Sequence, residues 1–474
     1  MQPDRNVEPL LVSAPAKGLF SVDAELARRI VDLAWPVVLA MAAQTVINVV
    51  DDAFIGRIGA DARPGQAALG PAMGLFWAVG GFFAAISVGT QALTARRSGE
   101  LSPERAGQVL LNSLLVALVT ATLGSIAGWF SAPYLFPLIN PKPDVMRLGV
   151  PYLQWRLLGV AAMVTTVSCK SWFDGLGKTR IFLSAAVLMN IANFFLNYAL
   201  IFGKWGFPAL GVTGSAIASM VSSYFGLALM LGWTLHPQFR KTYRHYRISN
   251  LSIKQAWEIC KLSVPSGLAT ACVMFGFLLF YKIAGRVDVL ENSGEIAAAA
   301  THNVITLLMM LFTGAMAYGA ATATLVGQSM GAEQPALAER YGWEAVKIGV
   351  LGTIVLGAAI ALFPDPLLDI VCKGDFDVIA AARPILRVCG VLLPFILASL
   401  TLTQALFGAG NTRYVMFVEF GLHFFCLVPI AALGGLVFKW GLLGVWIGAY
   451  VYILLLCALM AWKFAEGKWK QIRI

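Results

Sequence analysis

Long apolar runs separated by short polar stretches recur along almost the whole chain. About 20 apolar helical residues cross the hydrocarbon core of a bilayer. Windows of that order fall at roughly 30–56, 66–95, 105–130, 148–172, 180–203 and 209–235. A basic stretch, HPQFRKTYRHYRISNLSIKQAWEICK (236–261), then interrupts the pattern. Six further windows follow at roughly 262–284, 297–327, 342–364, 380–407, 413–437 and 441–463. The pattern predicts an all-α polytopic membrane protein with twelve transmembrane helices in two pseudo-symmetric six-helix bundles. Its parts are a tail 1–27, a bundle 28–235, a linker 236–261, a bundle 262–463 and a tail 464–474.

The two halves repeat each other. Pro36 precedes Gly56-Arg57 by 20 residues, and Pro265 precedes Gly285-Arg286 by the same 20. SGELSPERAG (98–107) lies against MGAEQPALAE (330–339). GLGKTR (175–180), GKWG (203–206) and LGV (210–212) recur as GAGNTR (408–413), FKWG (438–441) and LGV (443–445). An even number of spans separates the copies, so both halves stand the same way up, as in transporters whose parallel repeats enclose a central site. GLGKTR is not a phosphate-binding loop: Trp172 stands where that motif needs its first glycine, and no strand precedes it.

Composition narrows the class. The chain is 58% hydrophobic and only 13% charged, about half the charge of an ordinary soluble chain. Residues 1–25 are polar and do not read as a cleaved leader. With the N-terminus inside, the cytoplasmic loops and tails hold about 22 of the 35 Lys and Arg, which satisfies the positive-inside rule. The net charge of +10 is therefore an orientation signal rather than a nucleic-acid footprint, and both termini are expected in the cytoplasm. The seven cysteines are scattered singly, with no zinc or disulfide pattern.

Polar groups inside the apolar windows are the candidate chemistry, because an intramembrane ionisable residue is costly. Asp51 and Asp52 stand side by side in the first window, and Asn190, Asn193 and Asn197 punctuate the fifth. Asn193 and Asn197, four apart, share one helix face, and Asn190 extends the stripe. A carboxylate with amide oxygens suits Na⁺, or a carboxyl that exchanges a proton. The asparagines also read as interhelical glue. Adjacent helical residues point about 100° apart, so Asp51 and Asp52 face different surroundings. Asp52 is either a carboxylate snorkelling near the outer interface or a charge that attracts cations. In the second half Glu419 and His423 form an i, i+4 pair, either a pH-sensitive switch or a structural contact.

VDDAFIGRIG after a proline-bearing span, DGLGKTR, NFFLNYALIFGKWGFPALGVTGSAIAS, AAATHN and LVGQSMGA together resemble the multidrug and toxic compound extrusion (MATE) transporters, in the right order from about residue 28 to 463. The resemblance implies a secondary-active exporter that works by alternating access and is driven by inward H⁺ or Na⁺, with no cofactor. Its substrates would be small amphipathic organic compounds, typically cations. It implies that Asp51 is the coupling acid and that Asn193 and Asn197 are its partners, with Ser215 where a sixth-helix hydroxyl completes the cluster. Asp51, Asn193 and Asn197 would be the metal ligands if Na⁺ is the ion, and Asp52 departs from the family pattern. Acids carried by some members in the seventh and tenth helices are missing here. His302 falls in a family motif with a packing or gating role. Aromatic and methionine residues such as Phe76, Trp77, Phe82, Phe83, Phe275, Met309 and Met310 are candidate substrate contacts. The expected setting is the cell membrane, as a monomer with the lipid bilayer around it, no nucleic acid and no obligatory protein partner. A lipid-linked oligosaccharide flippase of the same superfamily would want a strongly cationic interior, and these spans are poor in Lys and Arg. A non-transporting receptor or scaffold would not need the duplicated bundle.

Overall fold

The computed structural model describes residues 22–58, 61–372 and 375–474, and within them every side chain except Asn48, Val49, Asp52, Ala62 and Arg63. Most of the tail 1–27 therefore lies outside the described residues. The first half contains α1 (Ala24–Ile55), α2 (Ala62–Ala84), α3 (Ile86–Gly99), α4 (Pro103–Ile139), α5 (Pro143–Gly175), α6 (Arg180–Phe202) and α7 (Gly211–Leu235). A short α8 (Pro237–Tyr243) leads into α9 (Ile253–Glu291), α10 (Ile296–Gly331), α11 (Pro335–Leu362), α12 (Asp365–Cys372) and α13 (Phe376–Gly408). The chain ends with α14 (Thr412–Leu422), α15 (Val428–Ala432) and α16 (Gly441–Glu466). Two π-helical turns, His423–Leu427 and Leu433–Val437, flank α15.

Among the described residues, eleven helical segments are long and apolar enough to cross a membrane; α2 with α3, and α14 through the second π turn, each count as one. The twelfth span is α5, which is 33 residues long but carries Asp144, Arg147, Arg156, Lys170 and Asp174. The chain is thus an all-α, multi-pass membrane protein of twelve spans. Most helices outrun their apolar windows at the ends. The seventh starts at Ile253, inside the stretch read from sequence as linker, because its first turns are polar and hydropathy registers only the part in hydrocarbon.

Prolines sit inside α1 (Pro36), α5 (Pro151), α9 (Pro265) and α13 (Pro384, Pro394). Membrane helices tolerate them because neighbouring helices satisfy the freed carbonyls. Asp23 caps α1 by accepting from the backbone N–H of Glu25 at 3.0 Å and of Leu26 at 3.3 Å. Gly203 closes α6 in the left-handed region (φ +67°), where a side chain would be strained.

The packing resolves into two compact units: Trp35–Gly267 with Ile474, and the described residues up to Ala34 with Leu268–Arg473. The division falls inside α1 and inside α9, each just beside its proline, rather than in the linker. In the first unit, Ile55, Phe76, Leu93, Phe136, Leu153 and Val160 belong to one apolar core. The start of α9 belongs to the same unit, with Ser263 Oγ 3.5 Å from the Ile86 carbonyl. In the second unit, Phe280, Val304, Ile385, Leu427 and Trp446 share a core. The start of α1 belongs there, held by Arg340 at 3.0 Å from Asp23 and by the Asp23 N–H donating to Glu344 at 3.2 Å.

The linker is docked on the first unit rather than left free. Asn112 donates to the Asn250 carbonyl and accepts from the Ser252 N–H, both at 2.9 Å. His245 is fully buried, with its ring centroid 5.6 Å from that of Trp172 and 4.4 Å from that of Tyr246. Burial pushes its pKa below the ordinary imidazole value.

Candidate functional site

The site forms where α1 meets α6. Phe54, three residues beyond Asp51, sets the contact: its ring lies 5.4 Å from Phe194, 6.5 Å from Tyr198 and 5.8 Å from Phe202. Because i and i+3 share a helix face, this packing also aims Asp51 at α6. Asn197 Nδ2 donates to Asp51 Oδ1 at 2.6 Å and to Asn193 Oδ1 at 2.9 Å. Asn193 Nδ2 reaches on to Ser219 Oγ of α7, at 3.5 Å. Asn193, Asn197, Ser215 and Ser219 are all buried. A carboxylate and two amides thus form one chain, drawn from two helices far apart in sequence.

Three polar atoms around this chain are buried without a hydrogen-bond partner: Asn197 Oδ1, Ser215 Oγ and Asn190 Nδ2. Ser215 shares an α7 face with Ser219, and the hydroxyl that meets Asn193 belongs to Ser219, one turn further along. Sequence reasoning did not single out Ser219. Its signal is only the i, i+4 relation to Ser215, visible once α7 is known to pack on α6. The side chain of Asp52 lies outside the described residues.

The arrangement serves two chemistries. An ionised Asp51 accepts from the Asn197 amide, as drawn. If the amide turns over, which exchanges its oxygen and nitrogen, Asn197 Oδ1 accepts a hydrogen bond from the O–H of the neutral acid. The oxygens brought together here, the Asp51 carboxylate and the Asn193 and Asn197 amides, are of the kind a hard cation takes, and Asn197 Oδ1 has no hydrogen-bond partner. Among the described residues no group of three His, Cys, Asp or Glu gathers to hold a metal, so any cation here would rest on one carboxylate and neutral oxygens.

Arg156 is a second polar feature of the first unit. It lies 13 residues into α5, about 20 Å along the helix. Its guanidinium sits 4.6 Å above the Phe76 ring and donates to Met73 Sδ at 3.4 Å. No carboxylate among the described residues pairs with it. Phe76 is buried, whereas Trp77, Phe275, Met309 and Met310 are exposed. In the second unit, Glu419 and His423 are both buried and meet side chain to side chain at 3.4 Å. The ring of His302 faces that of Tyr281 at 6.4 Å.

These features converge with what known proteins show. The MatE family profile matches residues 36–199 and again 265–433, and its two copies begin at Pro36 and Pro265, the prolines that head the internal repeat. The chain belongs to this family, the MATE multidrug efflux transporters. A Thermotoga maritima protein described as a probable multidrug resistance protein NorM is 26% identical over 454 residues, covering 94% of each chain. A Bacillus subtilis protein of the same description is 23% identical over 432 residues, covering 90% of this chain and 92% of the relative. Two solved structures share the fold at a TM-score of 0.85. One is a MOP superfamily transporter from Pyrococcus furiosus, with 20% identity over 97% of this chain and all of that one. The other is an outward-facing multidrug resistance MATE family transporter, with 21% identity over 96% of this chain and all of that one.

Proposed function

We propose that this MATE family member is a secondary-active exporter in the cell membrane, both termini in the cytoplasm, that moves small amphipathic organic compounds outward in exchange for inward H⁺ or Na⁺. Asp51 is the coupling acid. The observation that carries this reading is the 2.6 Å bond from Asn197 to Asp51, continued to Asn193 and bordered by orphaned buried oxygens. Its partners change when the acid gains a proton or a cation. Binding of the ion at Asp51 breaks the donation from Asn197, loosens α1 from α6, and favours release of substrate to the outside. Reorientation then exposes the site inward, where the ion leaves and new substrate enters. Asn190 borders the same stripe. The protein works as a monomer without a cofactor or an obligatory partner.

The reading is tested by reconstitution. Substrate uptake into proteoliposomes is followed under a pH gradient alone and under a Na⁺ gradient alone, with cationic dyes as probes. Flux under one of the two supports the proposal and names the ion. No flux under either gradient overturns it.

A further inference from the structure

The second unit holds a buried polar cluster that the coupling scheme leaves unused. The π-helical turn that begins at His423 follows α14 directly, and such turns recur at functional sites. There the imidazole folds back on its own helix, with Nδ1 2.9 Å from the Glu419 backbone carbonyl and 3.4 Å from Glu419 Oε2. From α16, the Tyr452 hydroxyl donates to the same Oε2 at 3.0 Å, and its ring centroid stands 4.6 Å from that of His423. His423 Nε2 is buried with no partner. On the far side Gly276 of α9 leaves no room for even a methyl group, which would come within 2.4 Å of the imidazole.

We propose that Glu419, His423 and Tyr452 form a proton-binding site of the second unit, additional to Asp51. The proposal deepens the functional reading by giving the exporter a second protonatable site. The groups facing it are Tyr452 from α16, Cys272 from α9 and Cys426 from the same span. Among the described residues no Lys, Arg or Asp pairs with the acid; its one ion-pair partner is His423. A fixed structural ion pair would be built with a permanent cation, whereas this site pairs an acid with an imidazole and a phenol, each able to donate or accept. As a carboxylate, Glu419 accepts from the Tyr452 hydroxyl. As an acid, it donates back to that hydroxyl oxygen without movement of a heavy atom, while His423 Nδ1 keeps its proton toward the Glu419 carbonyl. One proton enters from water and returns to water, and the cluster changes charge by one. Ionisable residues inside a membrane span are functional-site candidates, proton relays among them.

The test is the pH-difference infrared spectrum of the full chain in lipid, read in the carbonyl band of protonated carboxyls. The expected result is a component that titrates in the wild type, disappears in Glu419→Gln, persists in Asp51→Asn and shifts in frequency in Tyr452→Phe. A Glu419→Gln spectrum that superimposes on the wild type overturns the proposal. If that variant does not fold, Tyr452→Phe, which removes only a hydroxyl, carries the test, and an unshifted band overturns it. The measurement needs no transported substrate, so failure of the export reading leaves it intact.

Discussion

Asn197 Nδ2 spans the gap between Asp51 and Asn193, at 2.6 Å from one and 2.9 Å from the other. One amide therefore holds both the acid and its neighbour, and its own oxygen is left bare. Asn197→Ala removes the donor and leaves the acid short of a partner. A hydrogen bond to a charged group is worth about 1.5–3 kcal/mol, so ion-driven flux is expected to fall by about tenfold or more, with the protein still folded. Transport assays alongside a detergent melting curve check both halves of this statement.

The two serines of α7 separate a structural role from an ion-binding one. Ser219→Ala breaks the bond of 3.5 Å to Asn193, a long contact worth at most about 1 kcal/mol. Ser215→Ala removes a buried hydroxyl that has no partner, so stability is expected to hold or rise. If Na⁺ is the coupling ion, the apparent Na⁺ affinity falls in Ser215→Ala and stays near wild type in Ser219→Ala, read from flux against Na⁺ concentration.

Gly276 is a packing requirement for the Glu419 cluster. A Cβ there would meet His423 Cδ2 at 2.4 Å, and overpacking of this kind costs about 1–3 kcal/mol. Gly276→Ala is expected to lower the melting temperature in detergent, while Gly285→Ala, where the added methyl meets open space, leaves it unchanged.

The docked linker carries a pH signature outside the membrane. His245 is buried and its pKa is lowered, so the folded state favours the neutral ring and the undocked state binds more protons. The contribution to docking is complete above the ordinary imidazole value of about 6.5 and is lost as pH falls through the depressed folded-state value. Limited proteolysis within 236–261 is expected to accelerate on acidification in the wild type. His245→Phe flattens that dependence.

Much of this was legible in the residues. The spans, their repeat, the shared face of Asn193 and Asn197, and Asp51 all follow from periodicity and the cost of polarity in hydrocarbon. The helices α4, α9 and α11 begin ahead of their apolar windows because their first turns carry polar and charged residues. The division of α1 and α9 between units depends on tertiary packing that no single window records. The seat of Arg156 on Phe76 needs α2 beside α5, a neighbour set by the fold. Which α7 hydroxyl reaches Asn193 depends on where along its length α7 crosses α6, since Ser215 and Ser219 share one face a turn apart.

The central claim is that Asp51 couples ion entry to export. Asp51→Asn keeps the size of the side chain and removes its titratable charge. In proteoliposomes under the gradient that drives the wild type, this variant is expected to bind substrate yet lose gradient-driven flux. Wild-type flux in Asp51→Asn under that gradient would contradict the account.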